Sequence, residues 1–308
     1  MMRTQDIIDY LKESGVEYSI IKFTDDEIIG FSSLFNYKKG SLTFVSPERK
    51  LEDYENLFKP EEIHFMISCD DYSSNCFRTA IKVKDSRAVF FDIVEHLLDF
   101  PAGEDITGIS VNPEVYKVHS YISPKAVIGK NVKIGIGCVI EGNVVIGDNT
   151  EIHHNVVIRN KTKIGKNCMI HSGVIIGEYG FGYVVNEFGE KEMLKHYGGV
   201  TIEDNVHIGD NSIIIRGAID DTIIQNGAKL NTLVHIAHND RIGKRTLITS
   251  PCHVCGSVSI GDDCHIAGTT IRNQRSVGNN AVVGLGAVVV KDVEAGTTVI
   301  GNPAKPMR

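Results

Sequence analysis

Residues 127–177 read VIGKNVKIGIGCVIEGNVVIGDNTEIHHNVVIRNKTKIGKNCMIHSGVIIG, with isoleucine at 128, 134, 140, 146, 152, 158, 164, 170 and 176. A spacing of six is neither the 3.6 of a helix nor the plain alternation of one strand. It marks a repeat, in which each short strand turns one aliphatic side chain into a shared core. Ile122 carries the pattern upstream. The phase resumes at Ile202, Ile208 and Ile214, runs from Ile224 through Leu230, Ile236, Ile242, Ile248, Val254 and Ile260 to Ile266, and ends on Val277, Val283 and Val289. Glycine often follows the aliphatic residue, as at Gly129, Gly147, Gly165 and Gly243, and is expected to mark the corner.

Hexapeptide repeats form parallel β-helices, and this one resembles the left-handed β-helix of the hexapeptide acyltransferases. Three six-residue strands then make one triangular coil of eighteen residues. The resemblance implies a mainly β protein, a left-handed parallel β-helix with a small N-terminal α/β domain. We expect the α/β domain over 1–100, a linker over 101–116 and the β-helix over 117–308, with a loop insertion at 178–199 where the phase is lost. In the first domain, Ile7, Ile8 and Leu11 predict a helix from Thr4 to Ser14 capped by Thr4, followed by short strands and a closing helix from Arg87 to Leu98. Such a domain can cap the solenoid end or contact substrate.

With 32 Lys and Arg against 39 Asp and Glu, the formal net charge is −7, and no basic run stands out. Nucleic acid is not an expected partner. No apolar segment has the length of a signal peptide or membrane span, so no stable membrane insertion is expected and cytoplasmic localisation is the default. Of seven cysteines, Cys138, Cys168, Cys252 and Cys264 sit two places before an inward aliphatic residue, where a coil accepts a small side chain. Packing therefore explains them better than zinc or redox chemistry, Cys252 and Cys255 included.

The first interruption holds Gly180-Phe181-Gly182-Tyr183. A second cluster runs from Arg216 to Thr222, followed by Asn231-Thr232-Leu233-Val234-His235-Ile236-Ala237-His238-Asn239. Loops leaving a solenoid corner commonly line binding surfaces. With Gly30 to Leu34 and Gly40 to Phe44 in the first domain, these stretches resemble the sugar N-acyltransferase of lipid A synthesis, which adds a hydroxyacyl chain to a UDP-linked glucosamine. The resemblance covers nearly the whole chain. It implies that His238 is the catalytic base and that the backbone N–H of Gly256, eighteen residues on, is the oxyanion donor. Imidazole suits the task, since it titrates near neutral pH and can take a proton as an amine attacks a thioester. The resemblance also places Phe44, Phe181, Tyr183, Arg216, Asn231 and Asn239 at the substrate, with Asn231 and Asn239 as orienting partners of the base. His153 with His171, and His235 with His253, are eighteen apart and are expected to stack on successive coils. No metal ligand set is assigned.

Three departures bear on substrate and donor. Phe44 is followed by Val45-Ser46-Pro47-Glu48-Arg49 instead of the family's Asn-Pro-Lys-Tyr stretch, which leaves the carrier open between UDP and dTDP. A late histidine of that family is absent near Arg272-Asn273-Gln274-Arg275, where the arginines offer an anion contact. The end of the chain, Val283 to Val293 and Gly301 to Lys305, resembles the closing segment of acetyl-CoA-dependent hexapeptide acetyltransferases. That likeness assigns Gly268, Gly284, Gly286, Lys291, Asn302 and Lys305 to coenzyme. The reading is an N-acyltransferase that takes a short acyl group from acyl-CoA as co-substrate, without a permanently bound cofactor. The acceptor is a nucleotide-linked amino sugar, and the assembly a homotrimer with its sites between subunits. Two alternatives stay open: the lipid A N-acyltransferase using acyl carrier protein, and a metal-binding or structural solenoid.

Overall fold

The computed structural model describes residues 2–45, 54, 57–72, 74–98 and 120–307. The expected linker 101–116 and the Ser46–Arg49 departure lie outside the described residues. The described parts of Met1–Pro101 and Gly182–Lys195 form one compact unit, and those of Ala102–Phe181 and His196–Arg308 form another.

The second unit is a left-handed parallel β-solenoid. Its chain visits three faces in turn, beginning with Tyr121–Ile122, Val127–Ile128 and Lys133–Ile134. Val139–Ile140 then returns to the first face, with Ile140 opposite Ile122. Among the described residues the faces hold nine, eight and ten strands. Ile140, Ile158, Ile176, Ile214, Ile236 and Val254 form one inward column and are fully buried. Stacking puts like side chains in contact, and each coil satisfies its backbone groups on the next. Cys138, Cys168, Cys252 and Cys264 are buried at the small inward position, and all seven cysteines are free thiols.

The corner glycines have another cause than the one expected. Gly147 is not in the left-handed region; a Cβ there would stand 2.7 Å from the carbonyl carbon of Gly165, so close approach of coils requires it. Positive φ falls two residues later, at Asn131 (57°), Asn149 (58°) and Asn167 (54°), because asparagine tolerates this region better than other side chains. Their amides also ladder, Asn131 Nδ2 donating to Asn149 Oδ1 at 3.1 Å. The gap in the phase between Ile266 and Val277 is filled by Ile271, which pairs with Val254 across a coil one residue short.

In the first unit a five-stranded sheet runs in the order Tyr18–Lys22, Phe77–Val83, Ile63–Ser68, Ser41–Phe44, Gly30–Phe31, with the first strand antiparallel to the rest. Helices Thr4–Glu13 and Ser86–Leu97 accompany it. Thr4 is not the cap expected; it is the first helical residue, its hydroxyl is bonded to Asp26 O, and Asp6 accepts the Arg3 N–H at 2.7 Å instead. The insertion contributes an antiparallel hairpin, Tyr183–Val185 with Lys191–Met193, and Lys195 pairs with Glu95. Among the described residues no helix is long and apolar enough to cross a membrane.

Candidate active site

The two breaks in the six-residue phase open at the same corner of adjacent coils. The first follows Ile175–Glu178 and ends at Val200–Ile202; the second, Arg216 to Asp221, lies between Ile213–Ile215 and Thr222–Ile224. The next coil turns that corner with Ala237-His238-Asn239 and the one after with Cys255-Gly256-Ser257. Residues far apart in sequence therefore share one column.

His238 is half-buried there. Its Nδ1 lies 3.2 Å from Asn239 Oδ1. That oxygen also accepts the Ala218 N–H at 3.0 Å, while Asn239 Nδ2 donates to Asp220 O at 3.3 Å. Both loop contacts fix which end of the amide faces the imidazole, and an amide oxygen only accepts. Nδ1 therefore carries a proton, and in the neutral ring the lone pair is on Nε2. Nε2 faces Gly256: a Cβ on that glycine would stand 2.5 Å from it. Ser257 N–H donates to His238 O at 2.9 Å, fixing the two coils in register, while among the described residues the Gly256 N–H has no backbone acceptor.

His196, which the sequence reading passed over, completes the wall. It is 2% exposed, with its ring edge-on to His238 at 5.8 Å and to Tyr179 at 6.0 Å. The only signal in the sequence was its place at the return of the insertion. Behind it, Arg216 corrects an expectation. It is 1% exposed and makes no part of an open surface. Its guanidinium donates to Gly177 O (2.5 Å), Asn160 O (2.9 Å) and Asn160 Oδ1 (2.8 Å), and lies over the Tyr179 ring. Arg216 thus ties the start of the second loop to the base of the first and to the coil of Asn160.

A groove extends from His238 along the first face. A cavity of about 370 Å³ is lined by Tyr179, Phe181, Ile215, His238, Cys255 and Gly256. A second, about 440 Å³, is lined by Leu233, Pro251, Gly268, Gly286, Ala287 and Val288. His235 and His253 border both, their rings 4.7 Å apart and tilted by 42°. Burial first, then His253 and His238, hold the His235 imidazole below the usual histidine range. His153 and His171 lie over one another on successive coils in the same way, 4.7 Å apart and tilted by 54°.

Other expected residues are scattered. Phe181 is 91% exposed at the groove mouth. Asn231 does not orient His238: it sits exposed at the far end of the first face, its Oδ1 accepting from Thr232 N–H. Gly268 and Gly286 line the groove, Gly284 is packed against Ile300, and Lys291 lies two residues past Val289, at the corner of His238 two coils beyond Gly256. Asn302 belongs to the closing turn, whose Gly301 O and Ala304 N–H bond Val288 of the groove lining, and Lys305 to the closing strand. Arg275 is engaged by Asp292 at 3.5 Å, and Arg272 is exposed. In the other unit Phe44 packs on Phe90 (4.7 Å) and Phe91, and Tyr183 lies half-exposed on the hairpin. Among the described residues no group of three or more His, Cys, Asp or Glu could hold a metal ion.

Comparison with known proteins agrees with this architecture. Residues 125–160 match the family described as bacterial transferase hexapeptide (six repeats), and 199–230 and 241–271 match the hexapeptide repeat of succinyl-transferase. A UDP-3-O-acylglucosamine N-acyltransferase from Methylacidiphilum infernorum (isolate V4) is 38% identical over 258 residues, 76% of this chain and 68% of that protein. Its namesake from Caulobacter sp. (strain K31) is 37% identical over 137 residues, 44% of this chain and 40% of its own length. Three of the curated relatives are thus spanned over less than half their length. Among solved structures, LpxA from Bacteroides fragilis 9343, a UDP-N-acetylglucosamine acyltransferase, superposes with TM-score 0.56 at 28% identity, over 62% of this chain and 72% of that one. With its hexapeptide coils and a relative matched over most of both chains, the protein belongs to the UDP-3-O-acylglucosamine N-acyltransferase family.

Proposed function

We propose that the protein transfers an acyl group from a thioester to the amine of a UDP-linked 3-O-acylglucosamine. The observation that carries this reading is that His238 Nε2 faces Gly256 beside a groove. As the amine nitrogen attacks the thioester carbonyl, its electron pair forms the C–N bond and His238 Nε2 takes the proton. The carbonyl oxygen gains negative charge, which the Gly256 N–H stabilises. Collapse of the intermediate breaks the C–S bond, and the proton passes from Nε2 to the leaving sulfur. Asn239, held by the loop of Ala218 and Asp220, steadies the imidazolium through Nδ1.

The name of the relatives and the length of the groove favour the lipid A type of reaction over acetyl transfer. An acetyl group needs only the space beside His238, whereas the apolar floor of Leu233, Pro251, Ala287 and Val288 suits a longer chain. Acyl carrier protein is the donor that follows, in place of acetyl-CoA, and a homotrimer the assembly. The test compares acyl carrier protein and acetyl-CoA as donors to UDP-3-O-acylglucosamine and a dTDP-linked amino sugar. We expect turnover with the carrier protein and the UDP sugar, and loss of about 100- to 10,000-fold in His238→Ala. Near-normal turnover in that variant would remove the base from the mechanism; turnover with acetyl-CoA alone would restore the short-chain reading.

A further inference from the structure

Two places before each inward aliphatic residue the solenoid accepts small side chains. Where a polar one stands, it stitches coils together. Thr150 and Thr246 each accept the N–H eighteen residues on, at Cys168 (3.1 Å) and Cys264 (3.0 Å). Each also donates to the carbonyl fifteen residues on, at Gly165 (2.9 Å) and Gly261 (2.7 Å). In the coil of His238 this position is Asp240, which is 0% exposed.

A carboxyl here is costly where threonine would serve. Burial pushes the acid well above the usual aspartate range, and no cation pairs with it among the described residues. Asp240 keeps the contact a threonine makes, Oδ1 accepting from Val258 N–H at 2.8 Å. Its second oxygen does what no hydroxyl at this position does in Thr150 or Thr246: it reaches back to accept the Ala237 N–H at 2.9 Å, an N–H shared with Val254 O at 3.1 Å. Ala237 immediately precedes His238, and Val258 follows Gly256 by two residues. One rigid planar group therefore joins the backbone beside the imidazole to the backbone beside the amide.

We propose that Asp240 is a positioning residue, which holds His238 and the Gly256 N–H at their working separation through the paired contacts to Ala237 and Val258. This rests on the acyl-transfer reading for its consequence, since transfer requires base and oxyanion donor to be placed to a fraction of an ångström. Asp240 touches neither substrate nor reacting atoms.

The discriminating variant is Asp240→Thr, which restores the residue found at 150 and 246 and drops only the Ala237 contact. We expect an unchanged or raised thermal midpoint, KM for the UDP sugar within about twofold, and kcat lower by about 10- to 100-fold. Asp240→Asn, which turns an amide N–H towards one of the two donors, should lower kcat at least as far. A substrate-free measurement accompanies both: the ¹⁵N imidazole spectrum of His238, expected to lose its single Nδ1–H tautomer in the variants. Wild-type kcat in Asp240→Thr overturns the proposal, and so does a fall in kcat that tracks lost stability with an unchanged His238 spectrum. If the wild-type protein transfers no acyl group yet the His238 spectrum responds to Asp240→Thr, positioning stands and the acyl-transfer reading fails.

Discussion

At the residue scale, one missing methyl group decides whether His238 can face the next coil. Alanine at 256 would place a Cβ 2.5 Å from Nε2, well inside van der Waals contact, so the imidazole must swing away. Gly256 is not among the residues with positive φ, so its backbone accepts alanine. Gly256→Ala should therefore cost less than about 1 kcal/mol in urea unfolding while lowering kcat by about 100-fold or more. Asp240 gives a second outcome with a definite sign. Its folded pKa is raised, so the folded state holds the proton more tightly than the unfolded chain. Stability is then full below the ordinary aspartate value, near 4, and is lost as pH rises through the folded value. Thermal midpoints of wild type minus Asp240→Thr should fall across that window; a difference that rises with pH would show the carboxyl to be stabilised as its anion. His238 was legible from its motif. Asp240 was not, because nothing in one sequence says that a carboxyl replaces the threonine of other coils until their hydrogen bonds are compared.

At the scale of elements, the phase breaks were plain in the sequence and their geometry was not. Ile176 pairs with Ile214, thirty-eight residues on, where a plain coil needs eighteen, and Ile214 with Ile236, twenty-two on. Both excesses leave the same corner. Arg216, expected at the substrate, instead clamps these excursions from inside. Arg216→Leu keeps much of its volume but strands the acceptors Gly177 O, Asn160 O and Asn160 Oδ1. It should destabilise by about 2–4 kcal/mol, read as a lower urea midpoint. A loss below about 0.5 kcal/mol, with KM raised instead, would return Arg216 to the substrate.

For the solenoid as a whole, stability is distributed along one axis, because each coil contacts chiefly its neighbours. Ile236 is fully buried mid-stack, whereas Ile128 in the first described coil is 36% exposed. Ile236→Ala should cost about 2–5 kcal/mol, and Ile128→Ala well under half of that. Hydrogen exchange should show lost protection confined to the mutated coil and those beside it; uniform loss along the stack would contradict the linear picture.

The sequence by itself determined which side chains point inward, how long a coil is and where the winding is interrupted, since a period of six fixes side-chain direction through local backbone geometry alone. It also carried His238 and Gly256, whose spacing is one coil. Only the tertiary structure decided that both interruptions share the corner of His238, and that Arg216 and His196 are walled in behind it. Those outcomes depend on where loops close and which buried polar groups find partners. Periodicity holds no record of either, because they are settled between coils.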